Sequence, residues 1–214
     1  METTANAFEI VRQGGILMWP IFLCSIAGLA IAAERFFTFR RAGIDTREFM
    51  DALRQMLRQN RRQDAITLCD DTDTPAARII KAGLLKYGRG RAIIREAMED
   101  AGHLEVPFLE RYLSGLATCA HIAPLLGLLG TVQGLIKAFA EIQNKQGLVN
   151  PSDLAVGVGN ALVTTAAGLT VAIPLIVLYN YYVSRVDSLT VQMEMSAAES
   201  LDWLSREDHD RTDD

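Results

Sequence analysis

The sequence predicts an all-α polytopic membrane protein with three transmembrane helices, the second and third extended into a cytoplasmic helical domain. Three observations carry this. First, charge is segregated. Gly14–Ala33 and Leu154–Ser184 hold no charged residue, and Tyr112–Ile136 holds only the titratable His121. A helix needs roughly 20 such residues to cross a bilayer. Second, the polar remainder repeats its apolar residues at helical spacing rather than in the alternation of a strand. Third, the cations are concentrated. Twelve Arg and two Lys lie from Arg40 to Arg111, against Arg12 before the first apolar run and Lys145 in the turn between the second and third. Positive residues stay on the cytoplasmic side, so the N-terminus is expected outside and the C-terminus in the cytoplasm.

The segments follow in order. Residues 1–39 form an outer lead-in and the first transmembrane helix. Phe8, Ile10 and Val11 suit an interface and Trp19 the headgroup level. The opening "METTANAFEIVRQGG" lacks the basic n-region and cleavage site of a signal peptide. Residues 40–111 form the cytoplasmic helical domain. Asp45 and Glu48 make a capping-box variant, followed by Phe49, Met50, Leu53, Met56 and Leu57 on one helical face. A short helix follows around Asp64–Cys69. Thr74-Pro75 is an N-cap with proline in the first turn; Ile79, Ile80, Gly83 and Leu84 share a face, and Gly88 ends it. The next helix starts near Arg91, with Ile94, Met98, Leu104 and Phe108 in phase, and continues into the second transmembrane helix with a kink at Pro107. That span is 112–140, the outer turn 141–153 and the third span 154–184. Residues 185–214 carry a stripe of Val186, Leu189, Met193, Leu201 and Leu204, then an acidic tail whose last ten residues are expected to be disordered.

Enzyme chemistry finds no support. There is no nucleophile–base constellation, no phosphate-binding glycine loop and no metal spacing, so no catalytic residue, metal ligand or cofactor is expected. Cys24, Cys69 and Cys119 have neither redox nor zinc spacing and read as packing residues. His103 is expected at the surface of its helix and His209 in the tail; His121, near the inner end of the second span, reads as packing. The net charge of −5 includes the acidic tail and gives no reason to expect nucleic acid.

The polar residues inside the apolar runs are more informative. In the second span Gly127, Thr131, Gly134 and Ala138 follow a 4-3-4 spacing and make one smooth face. In the third, Asn160, Ala161, Thr164, Thr165, Gly168 and Ala172 fall within about 140° of arc at 100° per residue. Small and hydroxylated faces let helices approach closely. The same hydroxyls and amide could instead line a water path, and the residues alone leave both readings open. The spans 112–140 and 154–184 hold no carboxylate apart from their flanks, so a proton halfway across would have to ride on a partner.

The stretches "QGGILMWPIFLCSIAGLAIAAERFF", "IAPLLGLLGTVQGLIKAF" and "ALVTTAAGLTVAIPLIVLYNYY" resemble the MotA/TolQ/ExbB proton-channel family, its ExbB members most closely. The resemblance covers all three spans and their order. It implies a bacterial inner-membrane motor: a homo-oligomeric ring, a pentamer, around an ExbD-like single-span partner whose membrane aspartate carries the proton. The work would pass to a TonB-like protein for outer-membrane transport. TolQ-like envelope maintenance, a gliding motor and a non-conducting scaffold are the alternatives. It implies a proton path past Thr131 and Thr165, to which Thr164 and Asn160 are added. Gly127, Gly130, Gly134, Gly157 and Gly168 become helix-packing or partner-facing. Some members carry glutamate where this chain has Asn160; an amide orients water but releases no proton.

Overall fold

The computed structural model describes residues 15–42, 46–144 and 151–210. Among them all regular structure is helical. The helices are α1 (Met18–Ala42), α2 (Thr46–Arg58), α3 (Arg62–Asp71), α4 (Pro75–Leu84), α5 (Arg91–Glu110), α6 (Leu113–Asn144) and α7 (Pro151–Asp210). Three stretches are helical, long and apolar enough to cross a membrane: Met18–Arg40, Arg91–Asn144 and Gly157–Ser205. The chain falls into two compact units, one through Glu34 and over Tyr112–Tyr181, the other over Arg35–Arg111 and from Tyr182 onward.

The first unit holds the membrane-crossing parts of α1, α6 and α7. Small residues set its spacing. A Cβ on Gly168 would lie 2.5 Å from the carbonyl oxygen of Ala123, and one on Gly134 2.5 Å from the Ala161 methyl. Ala138 faces Gly157 and Thr164 faces Gly130. Residue numbers rise on one helix as they fall on the other, so α6 and α7 are antiparallel. The helix α1 joins through Gly28, which lies under the Leu175 side chain, and through Ile31 against Gly115. Trp19, Phe22, Leu23, Ile26 and Leu29 of α1 remain exposed, as expected where hydrocarbon is the solvent.

The second unit packs α2–α5 with the C-terminal half of α7. Phe49, Met50, Leu53 and Leu57 of α2 are buried, as are Ile79, Ile80 and Leu84 of α4 and Val186, Leu189, Met193, Leu201 and Leu204 of α7. The Thr74 hydroxyl accepts from the Ala77 N–H at 3.3 Å, with Pro75 in the first turn; this caps α4 where the sequence places the cap. The turn after α4 carries Gly88 and Gly90 at φ +81° and +92°. A Cβ on Gly83 would lie 2.7 Å from the Met98 sulfur, so α4 and α5 touch closely there. Arg78 bridges the same pair: its Nε and Nη2 donate to the two carboxylate oxygens of Glu105, each at 2.7 Å, and its Nη1 donates to Asp73. Those hydrogen bonds push the Arg78 pKa up against the opposing effect of burial. Cys69 is buried, and desolvation, with Asp70 adding to it, raises its thiol to about 12. It is a packing residue.

Three expectations change. Pro107 sits inside α5, and the helix is interrupted after it, where Arg111 is extended (φ −50°, ψ 136°) and Tyr112 has φ +66°. Leu104 and Phe108 are 76% and 50% exposed; Glu105, paired with Arg78, and the buried Leu109 face inward instead. Arg35, at the inner end of the first span, is only 2% exposed. Its Nη1 donates to the carbonyls of Phe108 and Leu109 at 3.3 Å. Those are among the last carbonyls of α5, which the interruption leaves without helical partners. A guanidinium at a helix C-terminus also meets the negative end of the dipole. Finally, α7 runs to Asp210, so the tail is helical well beyond the stripe; extending an existing helix costs far less than starting one. The lead-in, Asp45, Lys145 and residues 211–214 lie outside the described residues.

Candidate functional site

The face of α7 that the sequence marks has three parts. Ala161, Thr164 and Ala172 are 4%, 1% and 1% exposed and, with Gly168, occupy the centre of the arc, pressed against α6. Asn160 and Thr165 stand at its two edges, about 140° apart, and both are half-buried. The matching seam on α6 is Ala123, Gly127, Gly130, Gly134 and Ala138, all buried or nearly so. Gly130, rather than Thr131, takes the central place. Thr131 flanks the seam on one side, and Gln133 and Lys137 flank it on the other, each roughly 60–100° from its middle.

Thr165 and Thr131 are linked through one peptide. The Thr165 hydroxyl donates across the helix boundary to the carbonyl of Gly127 at 2.8 Å. This is possible because Gly127 has no Cβ: one would lie 3.0 Å from the Thr165 Cα. Gly127 is four residues before Thr131, so its carbonyl is also the helical acceptor for the Thr131 N–H. The Thr131 hydroxyl donates to the carbonyl of Leu128 at 2.7 Å. Both hydroxyl protons are thus committed to carbonyls, which can only accept. Each oxygen keeps lone pairs and no free proton. Around them Leu128, Leu135, Leu169 and Ile176 are exposed, so the two hydroxyls sit in an otherwise apolar flank.

Thr164 and Asn160 belong elsewhere. Thr164 donates to the carbonyl of Asn160 at 3.2 Å and fills the space over Gly130. With Asn160 it lines a cavity of about 180 Å³, together with Gln133 and Lys137 of α6 and the Gly15–Leu17 segment before α1. Of the four polar residues singled out in the sequence, Thr131 and Thr165 therefore lie on one side of the seam and Asn160 on the other, with Thr164 buried in its centre. Gly127, Gly130, Gly134, Gly157 and Gly168 all lie in it or at its end. Lys137 is the residue that sequence reasoning passes over: a charge count of the outer turn finds only Lys145, although "GLIKAF" places a cation a few residues earlier.

His121 is exposed, and its Nδ1 lies 2.7 Å from the carbonyl of Ala117, which fixes the proton on Nδ1. It is not packed within the chain. His103 is exposed, as expected. Among the described residues no group of three His, Cys, Asp or Glu could hold a metal ion.

The profile of the MotA/TolQ/ExbB proton channel family matches residues 71–195, which span both helices of the seam. The chain is 31% identical over 172 residues to biopolymer transport protein exbB1 of Vibrio cholerae, covering 78% of this chain and 74% of that one. It is 30% identical over 205 residues to the Tol-Pal system protein TolQ of Haemophilus influenzae, covering 88% and 89%. Its fold matches a chain of the C. jejuni MotAB structure with a TM-score of 0.59 at 15% identity, over 91% of this chain and 77% of that one. On the extent of these matches, the chain belongs to the MotA/TolQ/ExbB proton channel family.

Proposed function

We propose that this chain is the ring subunit of an inner-membrane motor driven by the proton-motive force. In this reading five copies surround an ExbD-like single-span partner, with the N-terminus outside and the C-terminus in the cytoplasm. The motor energises a TonB-type protein for outer-membrane transport. The supporting observation is the Thr165–Gly127–Thr131 link. It sets two acceptor oxygens, with no proton to give, on an exposed apolar flank formed jointly by α6 and α7.

The chemistry follows from that asymmetry. A neutral carboxylic acid on a partner helix has one O–H to donate, and a threonine oxygen with only lone pairs accepts it. The ionised carboxylate needs donors, and this flank offers none without breaking a bond to a helix carbonyl. The flank therefore favours the partner's protonated form over its ionised form, in the sense in which hydrogen bonding shifts a pKa. The partner would pass it neutral and lose its proton elsewhere. One charge moving through 100 mV releases about 2.3 kcal/mol, enough to break a few weak contacts. A surface of Gly, Ala, Leu and two threonines has no charged partner to hold the moving helix.

Co-reconstitution tests this. The chain and its genomic single-span neighbour in proteoliposomes should conduct protons, and Thr165→Val with Thr131→Val should abolish the flux while the complex still assembles. Unchanged flux in the double variant would leave the threonines as packing residues and favour a non-conducting scaffold. The 30% identity to TolQ supports envelope maintenance as a second reading. Loss of detergent resistance on deletion, with outer-membrane uptake intact, would select it.

A further inference from the structure

The cavity on the opposite flank of the seam has a composition of its own. About 180 Å³ in volume, it is lined by Gln133 and Lys137 from α6, by Asn160 and Thr164 from α7, and by the Gly15–Leu17 segment. Its donors are one ammonium and two side-chain amides. Its acceptors are amide oxygens, and among the described residues no carboxylate lines it. Lys137 forms no ion pair among the described residues, and Glu141, one turn further along α6, does not reach it. A cation left open beside two amides is a receptor for an oxyanion.

Position selects which oxyanion. The lining segment Gly15–Leu17 leads directly into Trp19, which is 60% exposed. An exposed tryptophan at the start of a membrane-crossing helix sits at headgroup level, and lysines near such helix ends reach for the same layer. Ile16, in the cavity lining, and Phe22, one turn beyond Trp19, are also exposed and offer apolar surface where acyl chains would begin. We propose that the Lys137–Gln133–Asn160 cavity binds the phosphate of a membrane phospholipid, one per chain. The lipid would fill the space between the start of α1 and the α6–α7 seam and tie α1 to it. This site lies across the seam from the Thr165–Gly127–Thr131 link and does not depend on proton conduction.

The test uses the full chain, stripped of lipid in a neutral detergent and titrated with dioleoylphosphatidylglycerol under native mass spectrometry. One saturable lipid per chain is expected. Lys137→Gln should weaken it about five-fold, the worth of one surface cation against an anionic lipid, and Lys137→Arg should restore it. Dioleoylglycerol, which has the chains without the phosphate, should not saturate the site, and equimolar inorganic phosphate should not displace the lipid. Equal binding by Lys137→Gln, or equal binding of dioleoylglycerol, would overturn the proposal. Displacement of the lipid by inorganic phosphate would show a site for free anions instead.

Discussion

The Thr165 hydroxyl donates to the Gly127 carbonyl at 2.8 Å, and that carbonyl belongs to the residue one helical turn before Thr131. One peptide thus couples the hydroxyl-bearing residues of two helices. Thr165→Ser should keep the bond and conduct. Thr165→Val should keep the shape and lose the oxygen. Its cost in stability should be small, about 0.6 kcal/mol for an average interhelical polar contact in a membrane. A thermal melt that hardly moves, beside a proton flux that falls at least ten-fold, is the expected outcome; parallel losses would indicate a folding defect.

The seam makes a steric prediction. Gly168→Ala drives a methyl to 2.5 Å from a backbone oxygen of α6, whereas a methyl on Gly159 meets nothing within 4 Å. Overpacking of this kind costs about 1–3 kcal/mol. Gly168→Ala should lower the melting temperature of the purified protein by several degrees and Gly159→Ala should leave it in place.

Arg35 closes the end of α5. Arg35→Met keeps most of the apolar stem but leaves the Phe108 and Leu109 carbonyls without their charged donor. Hydrogen bonds to charged groups are worth about 1.5–3 kcal/mol, so a loss of about 2 kcal/mol is expected by denaturant melt. Hydrogen exchange should quicken locally, at the C-terminal turn of α5.

Arg78 grips Glu105 with two parallel hydrogen bonds, each 2.7 Å. Lysine cannot reproduce that fork. Arg78→Lys should cost about 1 kcal/mol in low salt, the upper end for a pair this exposed, and the difference should shrink as salt is raised.

Cys69 should resist iodoacetamide at pH 8 in the folded protein and react once denatured, because its thiol is raised to about 12 by burial. The unfolded thiol ionises near 9.0 and the folded one near 12. The folded state therefore holds a proton that the unfolded state has lost. This contribution to stability is complete below pH 9 and declines as pH climbs towards 12. A Cys69→Ala variant should lack that alkaline slope, which can be read from melting temperatures between pH 8 and 11.

Much of the fold is legible without coordinates, because the bilayer and the helix impose strict periods. Charge-free runs give the spans, Thr74-Pro75 gives a helix start, and the stripe from Val186 to Leu204 gives the buried face of α7 in the second unit. The end of α5 is less legible. Leu104 and Phe108 read as in phase with Ile94 and Met98, but on the helical wheel the buried face of those two continues through Glu105 and Leu109. Lys137 escapes notice because one cation in a long apolar string looks like an interfacial residue until a cavity is seen beside it.

By itself the sequence determined that three helices cross a membrane, that two of them carry small and hydroxylated faces, and which family the motifs resemble. Those properties are local: they follow from residue type and spacing along one helix. Only the tertiary structure decided how that face is divided. A helical wheel gives the arc on which Asn160, Thr164 and Thr165 lie but not where the neighbouring helix sits on it. The backbone of α6 comes close enough, at Gly127 and Gly130, to bury the centre of the arc. That approach sends Thr165 to one flank, beside Thr131, and Asn160 to the other, beside Lys137.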